Sequence, residues 1–363
     1  MIYREYGKTG KKISAVGFGG MRFERPDDFD RSAEMLVHAL NKGINYFDTA
    51  TFYFKGKSEE IFGHARSELV RTGKNFYYST KSMAKDRESV RIDVEHSLKR
   101  MKVDSIDFLH VWCVLTPEDF AARKAAGVID EFRKVKEEGL AKHISISTHM
   151  SGNEIRDLFE HEEFEGVTLG YCATNFPFRE AGLKAAIEKN MGAVIMNPLG
   201  GGTIVNNPEA FSFIRMNEEQ SMVDAALHFL LSNKGITSAL VGFSNKQQID
   251  EAVAAVESFK PYTAAESERL KQSIQDDFQS MCTTCGYCNV CPVNIPVWAF
   301  MESFNHVLLD GSFKVAERLK WHWALKINEL DRCTGCRQCE EVCTQHLPIL
   351  QRFELIRQNA RGK

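Results

Sequence analysis

The sequence predicts an α/β protein: a closed barrel of eight parallel strands, followed by a smaller, mainly helical segment rich in cysteine. The first observation is an alternation of short apolar runs with amphipathic segments along the first 260 residues. The second is that this alternation gives eight strand–helix units, the number in a barrel of roughly 250 residues. The third is that eight of the ten cysteines lie between Cys282 and Cys343. We therefore predict a barrel domain over residues 1–260, a connecting helix over 261–281 and a cysteine-rich domain over 282–363.

The predicted strands are runs rich in Ile, Val, Phe and Leu with weak polar alternation, as expected of parallel strands buried on both faces. They span Ser14–Phe18, Asn45–Asp48, Asn75–Ser79, Ser105–Val111, Lys142–Ser147, Gly166–Cys172, Gly192–Met196 and Ser238–Val241. Helical patterns lie between them; in Asp30–Lys42 apolar residues recur at helical spacing, and Gly43 follows. An open doubly wound sheet is the competing fold, but no GxGxxG motif follows the first predicted strand. The pattern therefore favours a (β/α)8, or TIM, barrel.

The segment between the two predicted domains also has a helical pattern. Thr263 and Glu266 have the spacing of a capping box, and Leu270, Ile274 and Phe278 form an apolar stripe behind them. No long linker separates this helix from the cysteines. We therefore expect the cysteine-rich domain to be docked on the barrel.

Composition argues against several classes of protein. The 363 residues carry a formal net charge of -3, with 43% hydrophobic and 26% charged residues, which is ordinary for a globular protein. Such a small net charge gives no reason to expect a nucleic acid or a membrane surface as partner. The first residues lack the apolar segment of a signal peptide, and no apolar run reaches the ~18 residues of a membrane span. We expect a cytoplasmic protein with a small-molecule substrate.

Four titratable residues follow three neighbouring predicted strands. Asp48 and Tyr53 follow the second strand, Lys81 follows the third, and His110 lies near the end of the fourth. The carboxyl ends of barrel strands meet at one face, where barrel enzymes place their chemistry. An ammonium beside a phenol favours the phenolate and lowers its pKa from about 10, and a buried ammonium itself needs a carboxylate partner. These residue types therefore predict a site that exchanges protons.

The segments NYFDTATFY, STKS and DFLH around these residues resemble the catalytic segments of the aldo-keto reductase family. GFGGM, KGINYFDTA, SIST and NPLGGG extend the resemblance over residues 1–258. The resemblance implies an oxidoreductase that reduces a carbonyl, or oxidises an alcohol, by hydride transfer with NADP(H) or NAD(H). It implies Tyr53 as general acid/base, Lys81 as the cation beside it, Asp48 as the carboxylate paired with Lys81, and His110 as the group that orients the carbonyl.

The same resemblance implies a nucleotide site with one clear departure at its nicotinamide end. Ser147 and Thr148 match in type the residues that hold the carboxamide, whereas Tyr171 stands where a glutamine is usual. The residues expected to bind the cofactor are Gly19, Gly20, Met21, Ser147, Thr148, Tyr171, Met196, Pro198, Leu199, Gly242, Ser244 and Gln248.

Two further departures lie at the adenine end of that site. Gln248 stands where many members have an arginine for the 2′-phosphate, and Ala252 stands where an asparagine usually meets the adenine. Lys246 is the remaining cation nearby in the sequence. The choice between NAD and NADP is therefore left open by the sequence.

The cysteines form two runs at tight spacing. The first reads Cys282-x2-Cys285-x2-Cys288-x2-Cys291, and the second reads Cys333-x2-Cys336-x2-Cys339-x3-Cys343. In a chain with no export signal, clustered cysteines are typical of metal ligands rather than disulfides. Structural zinc is the alternative, although zinc sites usually use CxxC pairs or pairs with histidine.

The two runs resemble those of bacterial ferredoxins with two [4Fe–4S] clusters. The first run departs by having two rather than three residues before its last cysteine, and Thr344 replaces the usual proline in the second. The chain is thus similar to an aldo-keto reductase subgroup that has a C-terminal ferredoxin-like domain. Because the fourth cysteine crosses to the other cluster in such ferredoxins, the resemblance implies one cluster on Cys282, Cys285, Cys288 and Cys343, and the other on Cys333, Cys336, Cys339 and Cys291.

Two functions follow from these patterns. The first is a nicotinamide-dependent carbonyl reductase or alcohol dehydrogenase whose clusters stabilise the tail or exchange electrons with a ferredoxin or another redox partner. The second is an electron-transfer enzyme whose barrel binds substrate with little or no use of nicotinamide. A cluster-based lyase is disfavoured because eight cysteines leave no iron of two clusters open. A redox sensor without turnover is disfavoured by the presence of all four candidate catalytic residues.

Overall fold

A computed structural model describes residues 1–173, 175–273, 280–311 and 313–361. Its main feature is a closed barrel of eight parallel strands, in the order β10-β3-β4-β5-β6-β7-β8-β9. A separate antiparallel hairpin of β1 (Tyr3–Glu5) and β2 (Lys12–Ser14) precedes the barrel. The barrel strands are β3 (Val16–Gly19), β4 (Tyr46–Asp48), β5 (Tyr77–Ser82), β6 (Ile106–Val114), β7 (Ala141–Thr148), β8 (Gly166–Gly170), β9 (Gly192–Met196) and β10 (Ser238–Gly242).

Helices follow every barrel strand and pack around the outside of the barrel. They are Phe29–Asn41, Lys57–Arg71, Arg87–Met101, Pro117–Ala125, Val128–Glu137, Gly152–His161, Phe176–Glu188, Thr203–Asn206, Met222–Ser232 and Lys246–Glu257. A large apolar core lies between these helices and the strands. The predicted (β/α)8 barrel is therefore confirmed, with each of the eight predicted strands overlapping an observed one.

The amino-terminal hairpin was not predicted, and Ser14 belongs to it rather than to the first barrel strand. The buried Tyr6 follows β1, lies against Gly166 and Gly192 at the starts of two barrel strands, and shares a 2.8 Å hydrogen bond with Ser145. A side chain at either glycine would collide with the Tyr6 ring. The hairpin therefore covers the amino-terminal end of the barrel, opposite the carboxyl ends of the strands.

The rest of the chain is mainly helical and has a second apolar core. The helices are Ala264–Ser273, Val297–Asp310, Val315–Trp323, Gln338–Glu341 and Ile349–Arg361. The predicted connecting helix is thus observed as far as Ser273, and its predicted stripe residues Ile274 and Phe278 lie outside the described residues. Cys282, Cys288 and Cys339 belong to the second core together with aliphatic and aromatic side chains. No helix in the described part of the chain is both long and apolar enough to span a bilayer.

The cysteine-rich segment is docked on the carboxyl face of the barrel, as expected. Arg179 Nη2 donates to the carbonyl of Thr344 at 2.8 Å, and the Phe178 ring lies 5.8 Å from the His346 ring. A Cβ atom on Gly201, in the loop after β9, would lie 2.4 Å from the carbonyl oxygen of Thr283. The loops at this face therefore contact the tail directly.

Candidate functional site

A buried ion pair lies at the carboxyl ends of β4 and β5. Lys81 Nζ contacts Asp48 Oδ1 and also donates to the carbonyl of Thr49 at 2.5 Å. The second carboxylate oxygen of Asp48 accepts a hydrogen bond from Ser79 Oγ at 2.8 Å. Burial alone would lower the pKa of Lys81, but the facing Asp48 and Tyr53 raise it above its ordinary value. Lys81 is therefore held as an ammonium ion in a site nearly without solvent.

Tyr53 lies beside this ion pair, in a turn that directly follows β4. Lys81 Nζ is 5.0 Å from the centre of the Tyr53 ring, and the Trp112 ring packs edge-on against it at 5.5 Å. Phe54 and Lys55, the next two residues, both have positive φ angles, of 51° and 57°. Left-handed backbone at non-glycine residues costs about 1 kcal/mol each and is found where structure serves a site. The turn thus holds the Tyr53 side chain at the barrel mouth.

The pKa of Tyr53 reflects two opposing causes. Burial raises the pKa above its ordinary value, and the charge of Lys81 and its hydrogen bond act in the opposite direction. Burial is the larger of the two, so the net shift is upward rather than downward as the residue pattern alone had suggested. Tyr53 is therefore protonated at neutral pH, with an ammonium in place to stabilise its phenolate.

His110 lies next to Lys81 on the adjacent strand, since the two residues are paired in the β5–β6 register. Burial lowers the pKa of His110 to about 3, and the Lys81 charge adds to this effect. Neither ring nitrogen has a hydrogen-bond partner of normal geometry among the described residues, although the Ile146 main chain lies close by. The ring is thus neutral and retains hydrogen-bonding capacity inside a closed environment.

A cavity of about 330 Å³ opens beside the ends of β9 and β10. Five of the predicted cofactor residues line it: Pro198, Leu199, Gly242, Ser244 and Gln248. The main-chain N–H of Ser244 donates a hydrogen bond to Gln248 Oε1 at 2.8 Å, which fixes Ser244 in the loop. Ala252 also lines the cavity, at the position predicted to face adenine.

The cation in this cavity is Arg22, which sequence reasoning missed. Arg22 lines the cavity, and its carbonyl accepts a hydrogen bond from Ser244 Oγ at 3.0 Å. Lys246, the cation expected from the sequence, instead pairs with Glu34 at 2.8 Å on the surface. Arg22 is distant in sequence from the β10 loop, so only the parallel pairing of β3 with β10 could reveal its position.

The remaining predicted cofactor residues occupy different environments. Gly19 pairs with both Asp48 and Gly242 in the barrel register, while Gly20 N donates to the carbonyl of Asp48 at 2.8 Å. Met21 is 39% exposed in the following loop, and Met196 ends β9. Gly19 and Gly20 therefore lie beside the ion pair.

At the nicotinamide end predicted from the sequence, the three side chains face in different directions. Ser147 Oγ is buried and has no partner among the described residues, which leaves it available to a ligand. Thr148 Oγ1 already donates to the carbonyl of Val114 at 2.8 Å. Tyr171 packs in the layer between strands and helices, with its ring stacked on Phe229 at 6.1 Å. Ser147 therefore lies at the barrel mouth, whereas the Tyr171 ring packs away from it against Phe229.

Four cysteines from both runs lie near one another at the barrel face. Burial raises the pKa of the Cys282 thiol well above its ordinary value, and the neighbouring Cys285, Cys288 and Cys343 raise it further. Main-chain amides donate to two of these sulfurs: Thr284 N to Cys282 Sγ and Leu347 N to Cys343 Sγ, both at 3.4 Å. We call these four residues the inner cysteine set.

The other four cysteines, the outer cysteine set, are Cys291, Cys333, Cys336 and Cys339. Cys336 is exposed, whereas Cys339 is buried, and burial together with the neighbouring Glu340 and Cys333 raises the pKa of the Cys339 thiol. Among the residues that the structure describes, no three His, Cys, Asp or Glu side chains converge closely enough to hold a single metal ion.

Two buried arginines flank the inner cysteine set. Arg179 is fully buried, and its Nε and Nη1 atoms have no hydrogen-bond partner among the described residues. Arg352 is 4% exposed, and its Nη1 is likewise unpartnered in the described part of the chain. Burial lowers the pKa of Arg352, while Cys282 and Cys343 raise it. A buried guanidinium is costly when its N–H donors have no partner. These two arginines therefore favour an anionic group beside the inner cysteine set.

Comparison with known proteins identifies the class of protein. The model of the family described as Aldo/keto reductase family matches residues 15–275, which is more than two thirds of the chain. The chain therefore belongs to the aldo/keto reductase family, and it is an oxidoreductase. The match ends before Cys282, so it covers the barrel and the connecting helix and leaves out both cysteine sets.

Particular relatives agree with this class. The chain is 27% identical to an L-galactose dehydrogenase of Arabidopsis thaliana over 289 residues, covering 70% of this chain and 87% of that protein. It is 23% identical to an L-glyceraldehyde 3-phosphate reductase of Escherichia coli O157:H7, covering 76% and 93%. An aldo-keto reductase of Bacillus halodurans in its holo form has the same fold, with a TM-score of 0.65, 21% identity and coverage of 76% and 98%.

Proposed function

We propose that this protein reduces a small-molecule carbonyl, or oxidises the corresponding alcohol, by hydride transfer with NADP(H) or NAD(H), and that its tail holds two [4Fe–4S] clusters. The single observation behind the catalytic part is the grouping of Asp48, Tyr53, Lys81 and His110 at one strand-end face. Membership of the aldo/keto reductase family supports the same chemistry.

In the reductive direction, a nicotinamide held by the predicted cofactor residues would supply the hydride that the carbonyl carbon accepts. The carbonyl oxygen gains negative charge as this happens, and Tyr53 donates its phenolic proton to that oxygen. Lys81 stabilises the phenolate that remains, and Asp48 keeps Lys81 charged in a site where an unpaired ammonium would be costly. Solvent returns the proton to Tyr53 after the alcohol leaves. In the oxidative direction the same residues act in reverse, with the Tyr53 phenolate as base.

Neutral His110 assists as a hydrogen-bond donor to the same oxygen. Its lowered pKa means that it takes no part as an acid at physiological pH. A donor that is already oriented in a site without water stabilises developing charge more strongly than one in solution. Its lack of a partner of normal geometry in the described residues is consistent with a role completed only by substrate.

The nucleotide would lie between this site and the cavity beside β9 and β10. Gly242, Ser244 and Gln248 line the cavity; Gly242 ends β10, Ser244 lies in the loop before the helix Lys246–Glu257, and Gln248 lies in the first turn of that helix, where phosphate is favoured. Arg22 adds the charge that Gln248 does not supply. At the other end, the unpartnered Ser147 hydroxyl is available to the carboxamide.

The inner and outer cysteine sets fit iron–sulfur clusters better than zinc. Four thiolates on one tetrahedral ion, with bonds of about 2.3 Å, would bring their sulfurs to within about 4 Å of one another. A four-iron cluster takes one thiolate on each iron and keeps the sulfurs farther apart. The amide donors to Cys282 and Cys343, and the unpartnered donors of Arg179 and Arg352, match an anionic cluster. Such clusters supply one electron at a time.

A second function is favoured by the position of the inner cysteine set. Cys285 lies close enough to Cys113, which follows His110 and Trp112 on β6, to affect its pKa. An electron from a ferredoxin-like partner would therefore enter near the substrate. Under this alternative the barrel binds substrate and uses little or no nicotinamide.

The test is an anaerobic titration of the full-length protein with NADPH and then NADH, following nicotinamide fluorescence and cluster absorbance together. We expect saturable binding with cluster absorbance unchanged. Tyr53→Phe is the matched variant, because it removes one hydroxyl and should bind nucleotide as the wild type does while losing turnover. If neither nucleotide binds and reduced ferredoxin supports turnover instead, the second function replaces the first.

A further inference from the structure

We propose that Tyr287, which lies inside the first cysteine run, forms a wall of the substrate pocket and selects carbonyl compounds with an apolar or aromatic substituent. This inference rests on the proposed carbonyl chemistry and makes it more specific. It assigns a substrate-positioning role to a residue outside the segment that matches the aldo/keto reductase family.

Tyr287 is packed against the catalytic face rather than against its own domain. It belongs to a small cluster whose other members all come from the barrel: Ala50, Tyr53, Met83, Trp112, Cys113 and Leu115. Its ring meets the His149 ring edge-on at 5.2 Å, and its hydroxyl lies beside the Cys113 thiol and the Trp112 indole. The side chain therefore lies among residues of β6 and of the loops that follow β4, β5, β6 and β7.

The cysteine run projects Tyr287 to this position by its local geometry. Thr284 and Gly286 have positive φ angles, of 52° and 81°, which turn the backbone sharply on the amino-terminal side of Tyr287. The flanking Cys285 and Cys288 belong to the inner set, so the group that holds these sulfurs also fixes the tyrosine between them. The contact between Arg179 and the carbonyl of Thr344 holds the tail against the barrel nearby.

The chemistry of this wall defines the substrate class. Trp112, Met83, Leu115 and the Tyr287 ring form one apolar cluster with the side chain of Tyr53, the proton donor of the proposed reaction. Such a surface favours a carbonyl carried by an apolar or aromatic group. The tail thus takes part in substrate selection through Tyr287, in addition to carrying the two cysteine sets.

The experiment compares NADPH-dependent reduction of phenylacetaldehyde and propanal by the wild type, Tyr287→Ala, Tyr287→Leu and Tyr287→Phe. We expect Tyr287→Ala to lower the preference for phenylacetaldehyde by about tenfold, mainly through KM, because a ring-sized contact is removed from an apolar pocket. Tyr287→Leu should show an intermediate loss, and Tyr287→Phe should stay close to the wild type. The ratio of the two substrates is independent of the amount of active enzyme, so partial misfolding does not obscure it.

Val290→Ala is the matched control, since Val290 lies in the same cysteine run and is 46% exposed. It should leave the ratio unchanged, and iron content should be equal in all variants. A wild-type ratio in Tyr287→Ala would overturn this inference while leaving the proposed function intact. Failure of the wild type to oxidise NADPH or NADH with either aldehyde would instead overturn the proposed carbonyl chemistry and this inference with it.

Discussion

The barrel mouth and the cysteine-rich tail hold their functional side chains in different ways. In the barrel, Asp48, Lys81 and His110 lie on three adjacent strands, and backbone hydrogen bonds fix the register that pairs Asp48 with Ser79 and Lys81 with His110. In the tail, most of the cysteines lie in turns between helices, Cys339 lies in the short helix Gln338–Glu341, and Cys282, Cys288 and Cys339 form part of the small apolar core. The barrel site is therefore defined by strand register, whereas the positions of the cysteines are set by turns and by packing in the core of the tail.

The largest effect is expected when the buried cation of the barrel, Lys81, is removed, because this change should affect the barrel site and leave the tail as it is. Lys81→Met should lower kcat for carbonyl reduction by about 10³-fold, because the Tyr53 phenolate loses its stabilising charge. Iron content and cluster absorbance should not change, since the contacts that Lys81 makes among the described residues are with Asp48, Thr49 and Tyr53 of the barrel. Lys85→Met, which removes an exposed lysine paired with Asp119, is the control and should remain active. Loss of iron in Lys81→Met would contradict the independence of the two regions.

The converse experiment disrupts the tail and leaves the barrel folded. Cys282→Ser should reduce bound iron to about half, because one of two clusters loses a thiolate. Nucleotide binding to the barrel should persist in fluorescence titrations. Cys172→Ala is the matched control, as Cys172 is a buried cysteine outside both runs. Full iron content in Cys282→Ser would show that Cys282 is not a cluster ligand.

The pH dependence of stability tests the closed environment of the barrel site. The pKa of His110 is lowered to about 3 in the folded protein, whereas that of an unfolded histidine is near 6.5. The unfolded state therefore binds more protons between these pH values, and stability is fully present above pH 6.5 and is lost as pH falls. From pH 7 to pH 5 this histidine should account for about 2 kcal/mol of lost unfolding free energy.

Urea unfolding at the two pH values measures this contribution. His110→Gln should lose less stability on acidification than the wild type, by the same amount. The exposed His96 provides the control, and His96→Gln should lose as much as the wild type. Equal acid sensitivity of His110→Gln and the wild type would show that His110 is not a neutral buried group.

A smaller effect is expected at the nucleotide cavity. Arg22→Ala should raise the Kd for NADPH by about tenfold, because one charge-assisted contact to a phosphate is lost. Lys246→Ala is the matched control, since Lys246 pairs with Glu34 outside the cavity and should leave the Kd within about twofold. A larger rise in Kd for Lys246→Ala than for Arg22→Ala would show that Lys246 is the residue that binds the phosphate, as the sequence alone suggested.

The smallest effect concerns the charge around the inner cysteine set. Arg352→Met should lower the reduction potential of that cluster by about 60 mV, a tenfold change in a one-electron equilibrium, because a buried cation favours the more negative reduced state. Redox titration followed by electron paramagnetic resonance measures this potential. Arg357→Met, on the same helix and paired with Glu354, should leave the potential unchanged. A raised potential would contradict the proposed position of the cluster.

Much of the fold was predictable because strands buried on both faces leave a clear apolar pattern. The predicted Gly192–Met196 strand has the observed bounds, and the other barrel strands differ by a few residues at their ends. The hairpin over residues 3–14 was missed, since its strands are only three residues long and its stability comes from Tyr6 packing beneath the barrel. The local sequence pattern contains no information about contacts between residues far apart in the chain, such as those of Tyr6.

The sequence by itself determined the barrel, the positions of Asp48, Tyr53, Lys81 and His110 at its carboxyl face, and the two cysteine runs. Each of these depends on residue type at short spacing, which is local information. Only the tertiary structure decided that Arg22 rather than Lys246 lines the cavity beside β9 and β10, and that Tyr287 lies against the barrel mouth. The physical reason is that these contacts join segments far apart in the chain, and the register of a closed barrel and the docking of the tail bring them together.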